Sequence, residues 1–162
     1  MNRLEVKSFF EFERKKHFDF FLPYYQEKNW QIIQDNIDGG SPIDWDVELE
    51  VFAGEYKFVD EKARIGEFDD CLIEIIQDLK TMKKGWYYGW KDWILYGSWK
   101  EPNKKNPSSL YLIKVKELRD YINNLDGFIK TLITKKGWGT TWNIIVSWRE
   151  LEEKNITKKL FL

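Results

Sequence analysis

The sequence predicts a single α/β domain, with a mixed central β-sheet and flanking helices. Three observations lead to that expectation. Ile43, Trp45, Val47, Leu49 and Val51 alternate strictly with Asp44, Asp46, Glu48 and Glu50, the period of a strand with one face in a core. Ala53-Gly54-Glu55 supplies a short turn, and Tyr56 to Arg64 can run back as the second arm of a hairpin. Segments before Pro23 and from Lys116 to Leu125 carry a helical period instead. A chain of 162 residues fits one domain with a real core.

Composition narrows the class. Hydrophobic residues are 43% and charged residues 33% of the chain, the balance of a soluble globular protein. No apolar run approaches the ~18 residues of a membrane helix. The start, Met1 to Ser8, lacks the apolar core of a signal peptide, so a cytoplasmic location is expected. Cys71 stands alone, which excludes a disulfide framework and a cysteine zinc site. The net charge of −1 gives no overall basic footprint. Local clusters exist at Lys80, Lys83 and Lys84, at Lys100, Lys104 and Lys105, and at Lys135 and Lys136. Solvated loop lysines explain most such clusters.

The elements follow in order. Ser8 and Glu11 have the form of a capping box. The helix they open carries Phe10, Phe18 and Phe21 on one stripe, with Phe9, Phe12 and Phe20 widening it. Pro23 ends or kinks this helix, and helix is expected to about Lys28. Trp30 to Ile33 reads as a short strand, and Asp38-Gly39-Gly40-Ser41-Pro42 as a turn feeding the hairpin. Phe68 to Thr81 is ambiguous: Leu72, Ile75, Ile76 and Leu79 match a helical stripe, yet Cys71 to Ile76 is also a run suited to a buried strand. Gly85 to Trp90 is a turn-rich aromatic segment, whose rings read as core or interface packing. Asp92 to Tyr96 and Leu110 to Ile113 read as strands, with a Pro-containing surface loop from Glu101 to Ser109 between them. Lys116 to Leu125 is a helix, and Phe128 to Ile133 is expected to continue as another. Lys135 to Thr141 is a loop, Asn143 to Val146 a final strand, and Trp148 to Lys154 a last helix before a lysine-apolar tail.

The hairpin concentrates the chemistry. Asp44, Asp46, Glu48 and Glu50 share a face with Asp60, Lys62 and Arg64. If Phe52 faces Tyr56, then Glu48 faces Asp60, Asp46 faces Lys62 and Asp44 faces Arg64. Carboxylates with a lysine among them suit a divalent metal and a hydrolytic reaction. The same charges also make ordinary cross-strand ion pairs, Asp46–Lys62 and Asp44–Arg64, on a solvated face. His17 is the only histidine, which argues against histidine zinc sites and Ser-His-Asp triads. Flanked by Lys16 and Asp19, it reads as a surface residue.

Pro42-Ile43-Asp44 followed by Asp60-Glu61-Lys62 resembles the split signature of the PD-(D/E)XK nuclease superfamily. Val59 to Arg64, Leu72 to Ile75, Gly85-Trp86 and Asp92 to Tyr96 are similar to its small bacterial and phage members. The resemblance covers roughly Trp30 to Tyr121. It implies a restriction-endonuclease-like fold and an endonuclease that hydrolyses DNA with Mg²⁺ or Mn²⁺. Asp44 and Asp60 would then be metal ligands and Lys62 would act at the water, with Asp46 and Glu74 as further candidates. It also selects a strand for Phe68 to Thr81. A nuclease fold can instead persist as a catalytically silent scaffold that binds a protein partner, such as a phage or bacterial regulator, and the near-neutral charge and excess tryptophan suit that alternative.

Overall fold

The computed structural model describes residues 11–37, 45–125, 129–135 and 139–161. Residues 11–27 form one helix, α1, whose turn His17–Phe21 is a π-helix. The buried side chains pair as Lys16 and His17, Phe20 and Phe21, Tyr24 and Tyr25. That repeat of four is longer than the α-helical 3.6, and the wide π turn absorbs the drift. The N–H of Leu22 reaches back to the carbonyl of His17. Pro23, which has no N–H to give, follows inside the helix without ending it. The predicted phenylalanine stripe is therefore corrected: Phe20 and Phe21 are buried, whereas Phe18 is 44% exposed. Ser8, the expected cap, lies outside the described residues.

Two sheets follow. The strands are β1 (Gln31–Asp35), β2 (Val47–Phe52), β3 (Glu55–Ile65), β4 (Asp70–Asp78), β5 (Lys83–Lys84), β6 (Trp93–Trp99), β7 (Ser109–Lys114), β8 (Ile129–Lys135), β9 (Gly139–Ser147) and β10 (Thr157–Phe161). The larger sheet is mixed, in the order β1-β2-β3-β6-β7-β10, and the smaller has the order β5-β4-β9-β8. Among the described residues of the larger sheet only β3 and β6 run parallel, from Val59 opposite Trp93 to Ile65 opposite Trp99. Helices α2 (Val115–Asn123) and α3 (Trp148–Glu153) complete the fold. The mixed α/β class is as the sequence predicts.

Alternation on the central strands divides the core in two. Val59 and Ala63 of β3, with Leu95 and Trp99 of β6, face α1 and pack on Phe20, Phe21, Tyr24 and Tyr25. Trp99 is fully buried and receives Phe12, Phe20 and Phe21 edge-on. Gly97 must lack a side chain, because a Cβ there would stand 2.5 Å from the Trp99 ring. On the other face Ile94, Tyr96 and Ile113 meet Cys71, Ile73, Ile144 and Val146 of the smaller sheet, together with α2 and α3.

Three sequence expectations change. Residues 129–133 are not helical, and Phe128 lies outside the described residues: Ile129–Lys135 is β8, paired with β9, and the β-branched residues of its sequence suit a strand. The tail is a strand, β10, pairing antiparallel with β7. The hairpin register also shifts. Its loop is Ala53-Gly54 alone, with Gly54 at φ 78°, and a bulge lies between Glu50 and Phe52. Val47 consequently faces Val59 and Glu48 faces Phe58. Phe68 to Thr81 does contain a strand, β4, although in the smaller sheet. Among the described residues no helix is long and apolar enough to cross a membrane.

Candidate functional site

The site lies where β2 and β3 part. β3 runs 11 residues and β2 only 6, so beyond Val59 the β3 edge needs new partners. The N–H of Asp46 donates to the Val59 carbonyl at 2.8 Å. The Asp46 side chain then replaces the missing strand, its Oδ2 accepting the Glu61 N–H at 2.7 Å. This carboxyl is held beside Asp60. Burial and then the charge of Asp60 push its pKa up to about 8, against the pull of Lys62. It holds a proton near neutrality unless a cation replaces it.

Asp60 and Lys62 sit two apart on β3, on the face turned toward the smaller sheet. Lys62 Nζ lies 2.8 Å from Asp60 Oδ1, and Lys91 Nζ lies 2.7 Å from Asp60 Oδ2. Asp60 is buried, which alone would raise its pKa, but the two ammonium groups outweigh burial and keep it below the ordinary carboxylate range. Lys62, 27% exposed at its side chain, is raised despite burial by Asp60, Asp46 and Glu13. It stays protonated.

Behind the strand lies a second polar cluster. Glu61 points toward α1, where Oε2 meets His17 Nδ1 at 2.7 Å and Oε1 accepts from the Tyr25 hydroxyl at 2.7 Å. His17 Nε2 meets Asp35 Oδ2 at 2.9 Å. Burial lowers the imidazole pKa, but hydrogen bonds and charge from Glu61 and then Asp35 overcome it and hold it at about 9. A cleft of about 70 Å³ between α1 and the hairpin is lined by Glu13, Asp46, Glu61 and Lys62, among others.

Of the residues predicted from sequence, Asp60, Lys62 and Asp46 are therefore brought together. Asp44 lies outside the described residues. Glu74 sits on β4 opposite Asn143, in the smaller sheet, with its backbone against Gly85. Arg64 pairs with Asp70 at 3.1 Å, at the start of β4. Sequence reasoning missed Lys91, Glu61 and Glu13, and it misplaced His17 on the surface. His17 carried a usable signal: it stands four residues before the buried Phe21.

Asp46 and Asp60 are the side chains that would hold a hard divalent cation. Mg²⁺ takes oxygen ligands, commonly one or two carboxylates with water and substrate phosphate, and Asp46 and Asp60 supply two. Among the described residues no group of three or more His, Cys, Asp or Glu is placed to hold a metal. Substrate oxygens and water would have to complete the shell. Compared with family models, with curated proteins and with solved structures, the chain matches none, and its functional reading rests on this geometry.

Proposed function

We propose that the protein is a divalent-metal-dependent endonuclease that hydrolyses phosphodiester bonds in DNA, of the PD-(D/E)XK type. One observation carries the reading: Asp60 and Lys62 are ion-paired on β3 with the Asp46 carboxyl turned onto the same stretch of strand. Asp46 and Asp60 would hold Mg²⁺ or Mn²⁺. The metal, when bound, neutralises the phosphate and lowers the pKa of its water. Lys62 keeps a full positive charge beside Asp60, suited to steadying charge on a phosphoryl oxygen. Lys91 keeps Asp60 ionised, and the Glu61 N–H fixes where Asp46 points.

Nicking of supercoiled plasmid with Mn²⁺, with Mg²⁺ and with chelator tests the proposal, alongside metal-dependent melting of the protein. Wild type should nick only with metal and melt at a saturably higher temperature with Mn²⁺, less so with Mg²⁺. Asp60→Asn should lose both effects, and Lys62→Ala should lose nicking. Nicking unchanged in an Asp60→Ala, Lys62→Ala double variant would sink the assignment, and equal melting shifts in wild type and Asp60→Asn would mean ionic screening alone.

A second reading is favoured by the lysines. Both Asp60 oxygens are engaged, by Lys62 and Lys91, as expected of a silent scaffold whose role is to bind a protein partner. Wild type that neither nicks plasmid nor responds to metal would select it.

A further inference from the structure

Aromatic rings line the approach to the acidic site. Phe58 lies between Trp45 and Trp90, with ring centroids 4.9 and 4.6 Å away. Trp90 is 61% and Tyr88 48% exposed, far more than core packing requires. Each ring is placed by the backbone that places a site residue. Trp45 precedes Asp46, and Trp90 precedes Lys91. Phe58 stands two residues before Asp60, on the same face of β3 and ~7 Å along it.

Charge accompanies the rings. Lys83 and Lys84 are exposed on β5, and Lys84 Nζ lies 5.3 Å from the Tyr88 ring centroid. Asp60 is countered by both Lys62 and Lys91, so it raises no negative barrier. Asp92 accepts the Phe58 N–H at 2.9 Å. Glu48, opposite Phe58, is the carboxylate that would keep phosphates toward the lysine side. The exposed Trp90 ring, backed by the half-buried Phe58 and Trp45 and with cations nearby, suits a strand whose bases need partners and whose backbone is anionic. A duplex offers the anionic backbone but not the free base faces, since its bases are already stacked.

We propose that Trp90, Phe58 and Trp45 stack the unpaired bases of a single-stranded nucleic acid segment adjoining the phosphate held at Asp46, Asp60 and Lys62. The inference rests on the hydrolytic reading only for where that phosphate sits. Binding is therefore measured apart from cleavage, in chelator, by anisotropy of a short fluorescein-labelled oligothymidylate and by quenching of tryptophan emission.

Wild type should bind the single strand more tightly than a duplex of the same length, with quenching. Trp90→Ala, at an exposed position that should leave the fold intact, should weaken single-strand binding roughly tenfold or more, and Trp90→Phe should restore most of it. Lys84→Gln should weaken binding and flatten its salt dependence. Equal binding by wild type and Trp90→Ala would overturn the proposal, leaving charge alone. So would a flat anisotropy trace, which is the outcome if the rings instead meet a protein. Binding without plasmid nicking would remove the hydrolytic reading and keep this one; nicking without single-strand binding would do the reverse.

Discussion

His17→Gln removes a cation that has no solvent exposure. In the folded protein the imidazole joins α1 to the sheet through Glu61 on β3 and Asp35 at the end of β1, and it packs edge-on against Phe18. Its pKa rises from 6.5 to about 9. At ~1.4 kcal/mol for each tenfold change in proton affinity, that rise corresponds to ~3 kcal/mol of folding stability. The sign follows from the direction. The folded state holds the proton more tightly than the unfolded chain, so the contribution is complete below pH 6.5, declines as pH rises, and is gone above about pH 9. Breaking a buried ion pair by removing one partner costs ~3–5 kcal/mol, consistent with the same scale.

Urea unfolding of wild type and His17→Gln provides the assay, at about pH 6, 7.5 and 9.5. The difference between the two proteins matters more than either curve, because the titration of Asp46 and other carboxyls then largely cancels. The gap should be ~3 kcal/mol at the acid end and shrink toward the alkaline end. A gap that stays constant across this range would refute the reasoning, since His17 would then hold its proton no more tightly in the fold than in the unfolded chain. Glu61→Gln offers the reciprocal check. It leaves Asp35 as the remaining carboxylate on His17, and the alkaline loss of stability should move to lower pH.

Two further outcomes are expected. Lys91→Met should cost ~3 kcal/mol or more by leaving Asp60 buried with Lys62 alone. Combining it with Asp60→Asn should recover much of that loss, so strictly additive losses in the double variant would show that the two groups are not coupled. Gly97→Ala should cost ~1–3 kcal/mol, because its Cβ would stand 2.5 Å from a Trp99 ring already enclosed by Phe12, Phe20 and Phe21. An unchanged urea midpoint would mean that the ring has room to turn.

What could be read from the sequence depended on the range of the signal. The alternation from Ile43 to Val51 is local, and it places Val47, Leu49 and Val51 in the core. Asp60 and Lys62 share a face for the same reason. The register depends on the turn, where a shorter loop and a bulge near Phe52 together move the partner of Glu48 two residues along β3, from Asp60 to Phe58, and no residue pattern announces that bulge. Lys91 reaches Asp60 across 31 residues and a parallel pairing, a relation that no local spacing encodes. His17 was misjudged because its neighbours Lys16 and Asp19 suggest a wet face. Lys16 is itself buried, its Nζ on the Lys104 carbonyl at 2.6 Å and over the Phe12 and Trp99 rings.

The unequal lengths of β2 and β3 explain why the two polar clusters meet at one point. A central strand that outruns its neighbour leaves N–H groups without a ladder, and a buried N–H must find an acceptor. At Glu61 that acceptor is the Asp46 carboxyl, which brings a second acid beside Asp60. Asp46 answers by keeping a proton, whereas the buried charge of Asp60 requires cations, and Lys62 and Lys91 both pair with it. The side chain of Glu61 leaves by the opposite face and needs a counterion there, which places His17 inside α1. Lengthening β2 to pair with Glu61 would remove the reason for Asp46 to turn inward, and with it the pair of carboxylates on which the proposed metal site would depend.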